Sequence, residues 1–387
     1  MGNEATVDAT GASALLDVFA MIDFEPVSGA GVMLKSADGR EYLDFYGGHA
    51  VALLGYGHPR LLAALERQAR DLFFQSNLVP LAVRERAARA LADFAPPGLD
   101  RVFFVNSGAE ANENALRIAF RATGRPIVVA IAGAFHGRTS AAATVTAGSA
   151  AWNGFPSAPF EVRWVPFDDE DALRTAVDDR VAAVILEPVQ GVAGARALSP
   201  SFLRTAREVT RDAGSLLIFD EVQCGMGRTG WPFAADAMDV TPDLLTTAKG
   251  LAGGFPAGAV LIPESLARGI KRGDLGSTFG GGPMACALVE TVISVIQEEG
   301  LLGNVRHLSA RIHAECAVGP VTGIQGTGFL LGLRTSRPAA GVLKDLRARG
   351  ILAGGSADPN VVRLLPPLVL RDVHVDRLVS TLAEIPA

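Results

Sequence analysis

Between residues 101 and 263 the chain repeats one alternation, and that alternation narrows the fold more than any other feature. Short β-branched runs recur: RVFFV (101–105), PIVVAIA (126–132), AAVILEPV (182–189), SLLIFDEV (215–222) and AGAVLIP (257–263). Helical patterns such as 109–122 and 200–213 fall between them. Runs of this length and apolarity read as strands buried on both faces. Strands alternating with helices build a mostly parallel sheet covered by helices, so the fold class is α/β. Ligands bind such sheets in the crevice beyond the strand ends.

The flanks read differently. VMLKSADGREYLDF sets Asp38-Gly39 between two strand-like runs, the signal for a hairpin. A helix over 284–299 leads into a second α+β region. The expected organisation is a large domain over 46–282 and a smaller α+β domain built from residues 1–45 and 283–387. A chain of 387 residues, 49% hydrophobic and 20% charged, can bury cores of that size.

Net charge is −6 with no basic block, which argues against nucleic acid and an anionic membrane surface as partners. No uncharged apolar run reaches the roughly 18 residues of a membrane span. The acidic start lacks a secretory core, so a cytoplasmic protein is expected; MGNEAT fits only the loose myristoylation pattern. Cys224, Cys286 and Cys316 are too far apart for a zinc ribbon or a disulfide framework. The six histidines, at 49, 58, 136, 307, 313 and 374, have no metal spacing, and no metal is expected.

Several strand ends carry chemistry. In FFVNSGAEANENALRIAFRATGR (103–125), Ser107 and Glu110 form a capping box, with Ala111, Ala115, Ile118 and Ala122 as the buried stripe and Gly124 as the stop. The small residues Ser107, Gly108 and Ala109 bare backbone N–H groups at a positive helix end, a seat for phosphate. Asp220 ends the apolar run Leu216–Phe219, and a buried carboxylate needs a partner such as a cationic ring nitrogen. GAFHGRT (133–139) offers Phe135 to a planar ligand and Arg138 to a carboxylate. GSTFGGGPMACA (276–287) is a second glycine loop opening a helix. LLTTAKGLAGGFPAGA (244–259) holds one charge, Lys249, among small apolar residues. An apolar setting lowers a lysine from its usual pKa of about 10.4 and frees its amine. Gly225, Gly227 and Gly230 spell the dinucleotide fingerprint, but Trp231-Pro232 follows where a helix should open.

NSGAEAN, AFHGRT, EPVQG, FDEVQCGMGRTG, TTAKG-x-x-GGFP and GSTFGG, in this order, resemble the class III, or ornithine-type, aminotransferases. These are fold-type I transferases that use pyridoxal 5′-phosphate. Within the family the motifs are most similar to the acetylornithine and succinylornithine enzymes. The resemblance implies a transaminase of arginine biosynthesis that passes the ω-amino group of such a donor to 2-oxoglutarate. It also implies a homodimer with shared active sites. Lys249 matches the lysine joined to the cofactor aldehyde, and Asp220 the carboxylate on the ring nitrogen. Phe135 and Val222 match the residues on the two ring faces. Ser107, Gly108 and Ala109 match the phosphate seat, and Thr278 a phosphate contact reaching over from the second subunit. Gln223 matches the neighbour of the phenolic oxygen, Glu187 its supporting carboxylate, and Arg138 the grip on a substrate carboxylate.

The chain departs from the family at two points. Many members carry a glutamate after the EP-x-Q-G glycine, paired with an arginine matched here by Arg363; this chain has Val192. Arg363 is therefore expected to stay open to a carboxylate or to find another partner. An open arginine would suit a donor with an extra carboxylate, such as succinylornithine. The aromatic that helps bind the substrate carboxylate, often tyrosine, is matched by Phe19. The alternative is another class III enzyme with a different amino donor, or an aminomutase or racemase.

Overall fold

The structure is a computed structural model that describes residues 14–387, so the MGNEAT pattern lies outside the described residues. Seven strands form the central sheet, in the spatial order 101–105, 258–262, 244–247, 216–220, 181–186, 127–131 and 161–165. Strand 258–262 runs antiparallel to both neighbours. The other neighbouring pairs are parallel. The mostly parallel sheet is thus as expected. Strands 127–131 and 181–186 are buried along their whole length, because helices cover both faces.

Two strands escaped the alternation. Strand 161–165 (EVRWV) lies at the sheet edge, where Glu161 and Trp164 remain exposed and the apolar pattern is diluted. Strand 244–247 is only four residues long and half threonine.

The helix Gly108–Thr123 begins and ends where expected. Ser107 Oγ accepts from Glu110 N at 3.2 Å, and Gly124 closes the helix at φ 67°. Two details differ. The Glu110 carboxylate reaches back to Asn106 N (2.7 Å) rather than to the N-cap residue. Ala122 is exposed, and the buried stripe runs Ala111, Ala115, Ile118, Ala119. Ala122 keeps the phase of that stripe but sits in the last turn of the helix, two residues before the Gly124 stop.

The Asp38-Gly39 hairpin forms, with Lys35 opposite Glu41 and Gly39 at φ 87°. Strand Glu41–Asp44 also pairs in parallel with Ile351–Leu352, joining segments from both ends of the chain in one sheet. The glycines of the fingerprint-like stretch serve consecutive turns, and the next helix starts only at Ala234. Those turns bury Arg228, which donates to the carbonyls of Phe329, Pro366 and Ala50. The three cysteines are free and buried.

Candidate active site

The parallel strands deliver their carboxyl ends to one place. Strand 101–105 leads to Ser107, 127–131 to Phe135, 181–186 to Glu187, 216–220 to Asp220, and 244–247 to Lys249. A cavity of about 400 Å³ opens there. Its walls include Ser107, Gly108, Ala109, Phe135, Arg138, Glu187, Asp220, Val222, Gln223 and Lys249. That volume falls within the range of small-molecule sites, roughly 300–1,000 Å³.

Asp220 sits at the bottom of a closed polar network. Its Oδ2 accepts from Asn112 Nδ2 (2.7 Å) and lies 2.7 Å from His136 Nδ1. Its Oδ1 accepts from Val222 N at 3.0 Å. Asn112 is itself fixed, because its Oδ1 accepts from Thr246 Oγ1 (2.7 Å) and its Nδ2 also donates to the His136 carbonyl (2.7 Å). Asn112, His136 and Asp220 are all buried. A carboxylate held this tightly presents fixed negative charge to the cavity.

Sequence reasoning missed Asn112 and Thr246 and gave His136 at most a supporting place behind the site. The signal was present. Asn112 falls beside Ala111 and Ala115 on the buried face of its helix, and a buried amide must find partners.

Lys249 stands in contrast. Its side chain has no hydrogen bond or ion pair among the described residues. Burial lowers its pKa, and Arg363 adds to that, while Asp220 and Glu187 pull the other way. Its backbone has φ 40°, a conformation that costs a non-glycine residue on the order of 1–3 kcal/mol. The other three lysines, Lys35, Lys271 and Lys344, are exposed. Glu187 accepts from Phe135 N (2.8 Å) and Gly191 N (3.3 Å), and its pKa is raised by burial and then by Asp220.

The helix start expected to seat a phosphate is packed too closely for side chains at its glycines. A Cβ on Gly108 would meet Val222 Cγ1 at 2.7 Å, and one on Gly258 would meet the Ser107 carbonyl at 2.5 Å. The first N–H groups of a helix have no carbonyl behind them, and Gly108 and Ala109, at this helix start, line the cavity. Arg138 lies over the Trp152 ring at 4.5 Å.

These residues fit pyridoxal phosphate. An unpaired lysine, a fixed acid and a bare helix terminus share one cavity. The buried Gln223 Oε1 and His136 Nε2 also lack partners.

Three expected residues do not line the cavity. Thr278 is exposed in the loop whose Ser277 Oγ accepts from Asn106 Nδ2 at 3.1 Å. Phe19 is 77% exposed and is not among the cavity walls. Arg363 is not the open arginine that Val192 suggested, being only 5% exposed. It donates from Nε to Gly355 O (2.6 Å), from Nη1 to Gly191 O (3.1 Å) and from Nη2 to Tyr46 Oη (3.2 Å). The second partner has been found in a tyrosine and two carbonyls.

Among the described residues no helix is long and apolar enough to cross a membrane. No cluster of metal-ligating side chains occurs among them either.

Known proteins resemble this chain over most of its length. The family profile for aminotransferase class-III matches residues 19–385. The acetylornithine aminotransferase of Streptomyces coelicolor is 43% identical over 368 residues, covering 93% of this chain and 90% of that enzyme. The acetylornithine aminotransferase of Methanocaldococcus jannaschii is 35% identical, covering 96% and 95%. Among solved structures, the ornithine aminotransferase of Toxoplasma gondii superposes with a TM-score of 0.90 at 31% identity, covering 96% and 92%. A second structure of that Toxoplasma enzyme, crystallised with oxidised glutathione, has PLP at partial occupancy in its active site.

Proposed function

This chain belongs to the class III aminotransferases, and from that premise we propose that it passes the ω-amino group of N-acetylornithine to 2-oxoglutarate in arginine biosynthesis. The observation that carries the reading is Lys249, unpaired in a cavity it shares with the anchored Asp220.

Pyridoxal 5′-phosphate supplies an aldehyde that condenses with amines and a ring that accepts the electron pair of a broken C–H bond. The chain supplies the rest. Asp220, held by Asn112 and His136, keeps a proton on the ring nitrogen. Phe135 and Val222 would flank the ring, and Ser107, Gly108 and Ala109 would hold the phosphate. Gln223 and Glu187 would serve its phenolic edge. Lys249 Nζ, with its pKa lowered by burial, takes the proton from the reacting carbon and returns it. Arg138 grips a substrate carboxylate as a forked donor.

The names of the relatives favour the acetyl donor. The buried Arg363 removes the reason to prefer a succinyl donor. Half-reaction spectra of the protein with its cofactor test this against N-acetylornithine, N-succinylornithine, ornithine and simple α-amino acids. N-acetylornithine should bleach the aldehyde band fastest. Reaction with α-amino acids alone would sink the reading.

We also infer a homodimer. Leu72, Phe73, Leu78 and Phe279 are exposed, and Asn77 Nδ2 ties this segment to Ser277 O (2.9 Å) and Gly280 O (3.0 Å), beside Thr278. An apolar patch of this kind suits a protein interface. A second copy seated there would be the one that Thr278 serves. Sedimentation should give twice the chain mass. Pairing of Glu41–Asp44 with Ile351–Leu352 supports a small domain from residues 1–45 and 283–387 beside a large one over 46–282.

A further inference from the structure

We propose that Trp152 is a positioning residue: its indole ring holds the Arg138 guanidinium at the cavity, and so sets how strongly the enzyme prefers donors that carry a carboxylate over amines that lack one. This rests on the reading above, because it takes Arg138 as the group that grips a substrate carboxylate.

Arginines in this molecule are held in different ways. Arg228 spends its donors on the carbonyls of Phe329, Pro366 and Ala50, and Arg363 on two carbonyls and the Tyr46 phenol. Both are buried. Arg138 is exposed and lines the cavity, and among the described residues it has no hydrogen bond and no ion pair. What restrains it is Trp152, whose ring centre lies 4.5 Å from the guanidinium carbon. That is well inside the roughly 6 Å reach of cation–π attraction, for which tryptophan is the best aromatic. A ring face takes up none of the five guanidinium N–H donors. A carboxylate neighbour would compete with the substrate for those donors. The indole restrains the group and leaves them free.

Both arms of this contact are fastened to one buried threonine, Thr146. Its Oγ1 accepts from His136 N (2.9 Å) and Gly137 N (3.2 Å), the two residues before Arg138. On the other arm, Ser149 N donates to Thr146 O (3.3 Å), and Trp152 N donates to Ser149 O (3.0 Å). Ala147 N also donates to Ala134 O (2.9 Å), which keeps the two segments side by side.

The backbone ahead of Arg138 is close-packed. Gly137 has φ 139°, and a Cβ there would meet Ala109 Cβ at 2.8 Å and Ala142 Cβ at 2.9 Å. The chain is thereby pressed against the helix start at Ala109, and the long side chain of Arg138 is what remains to be placed. Trp152 is the one aromatic in TAGSAAWNG (146–154), and at 37% exposed it is no part of the core. Replacing it is expected to cost little stability.

The test compares wild type with Trp152→Leu and Trp152→Phe, as holoenzymes, on two donors. N-acetylornithine carries a carboxylate; N-acetylputrescine is the same amine without it. Loss of a cation–π contact predicts that Trp152→Leu raises KM for N-acetylornithine by roughly three- to tenfold. The limiting rate, the cofactor absorbance and the KM for N-acetylputrescine should stay as in wild type. Trp152→Phe, which keeps a ring, should recover part of the loss. In an Arg138→Gln background the further change to Trp152→Leu should add less than about twofold, because the partner is already gone. A second readout needs no turnover: calorimetric binding of N-acetylnorvaline, which has the carboxylate and no reacting amine, should weaken in Trp152→Leu by the same factor. Equal losses on both donors, no change in either KM or N-acetylnorvaline affinity, or a full additional loss in the Arg138→Gln background would overturn the proposal. A wild-type enzyme that takes both donors equally well and does not bind N-acetylnorvaline would instead sink the role given to Arg138 above, and the proposal with it.

Discussion

Asp220 and Glu221 are adjacent carboxylates at the end of one strand, both buried, yet they serve opposite sides of the molecule. Asp220 faces the cavity and is anchored by Asn112, His136 and the Val222 amide. Glu221 faces away and accepts from the amides of Ala234 (2.5 Å) and Ala235 (2.8 Å) at the start of the next helix. Burial pushes the Glu221 carboxyl up to about 8, so at neutral pH it is largely protonated. Side chains along a strand alternate faces, and a single step along the chain separates a chemical acid from a structural one. Neighbouring residue type says little about role; the partners decide it.

The comparison breaks first if the cavity side is not chemical. Lys249→Ala should lower turnover by roughly 10⁴-fold, since both the attachment point and the proton carrier are lost. Single-turnover spectra with N-acetylornithine measure it. Asp220→Asn keeps the shape but cannot hold the ring proton, and should cost roughly 10²–10³-fold in turnover with little change in melting temperature. Asn112→Ala loosens Asp220 and leaves Thr246 without its acceptor. A loss of roughly tenfold in the same assay is expected.

Glu221→Gln sharpens the contrast from the other side. Turnover should stay within about twofold of wild type, because no cavity group is touched. The effect belongs to stability. Glu221 has a folded pKa above its unfolded value of about 4.3, so the folded state binds more protons between those values. Its contribution is complete below the unfolded pKa and is lost as pH rises through about 8. Wild type should therefore lose melting temperature as pH rises from about 5 to about 8, and Glu221→Gln should lose less over that window.

Much of this was legible in the residues. The strand–helix alternation predicted the parallel sheet, and the strand ends pointed to Ser107, Phe135, Asp220 and Lys249 because apolar runs stop there abruptly. The edge strand 161–165 was not legible, since one solvated side dilutes its pattern. Asn112 was hidden for a different reason: its meaning depends on Asp220 and Thr246, which are over a hundred residues away in sequence. Which partner Arg363 would find was not legible for the same cause. Val192 indicated what the arginine had lost, but its new partner, Tyr46, lies at the other end of the chain.

The central claim is that the amine at position 249 is the one that joins the cofactor. With four lysines in the chain and three of them exposed, borohydride reduction of the pyridoxal phosphate complex followed by peptide mass mapping decides it. The label should appear on the peptide containing Lys249 alone. A label on Lys35, Lys271 or Lys344 with none on Lys249 would contradict the account.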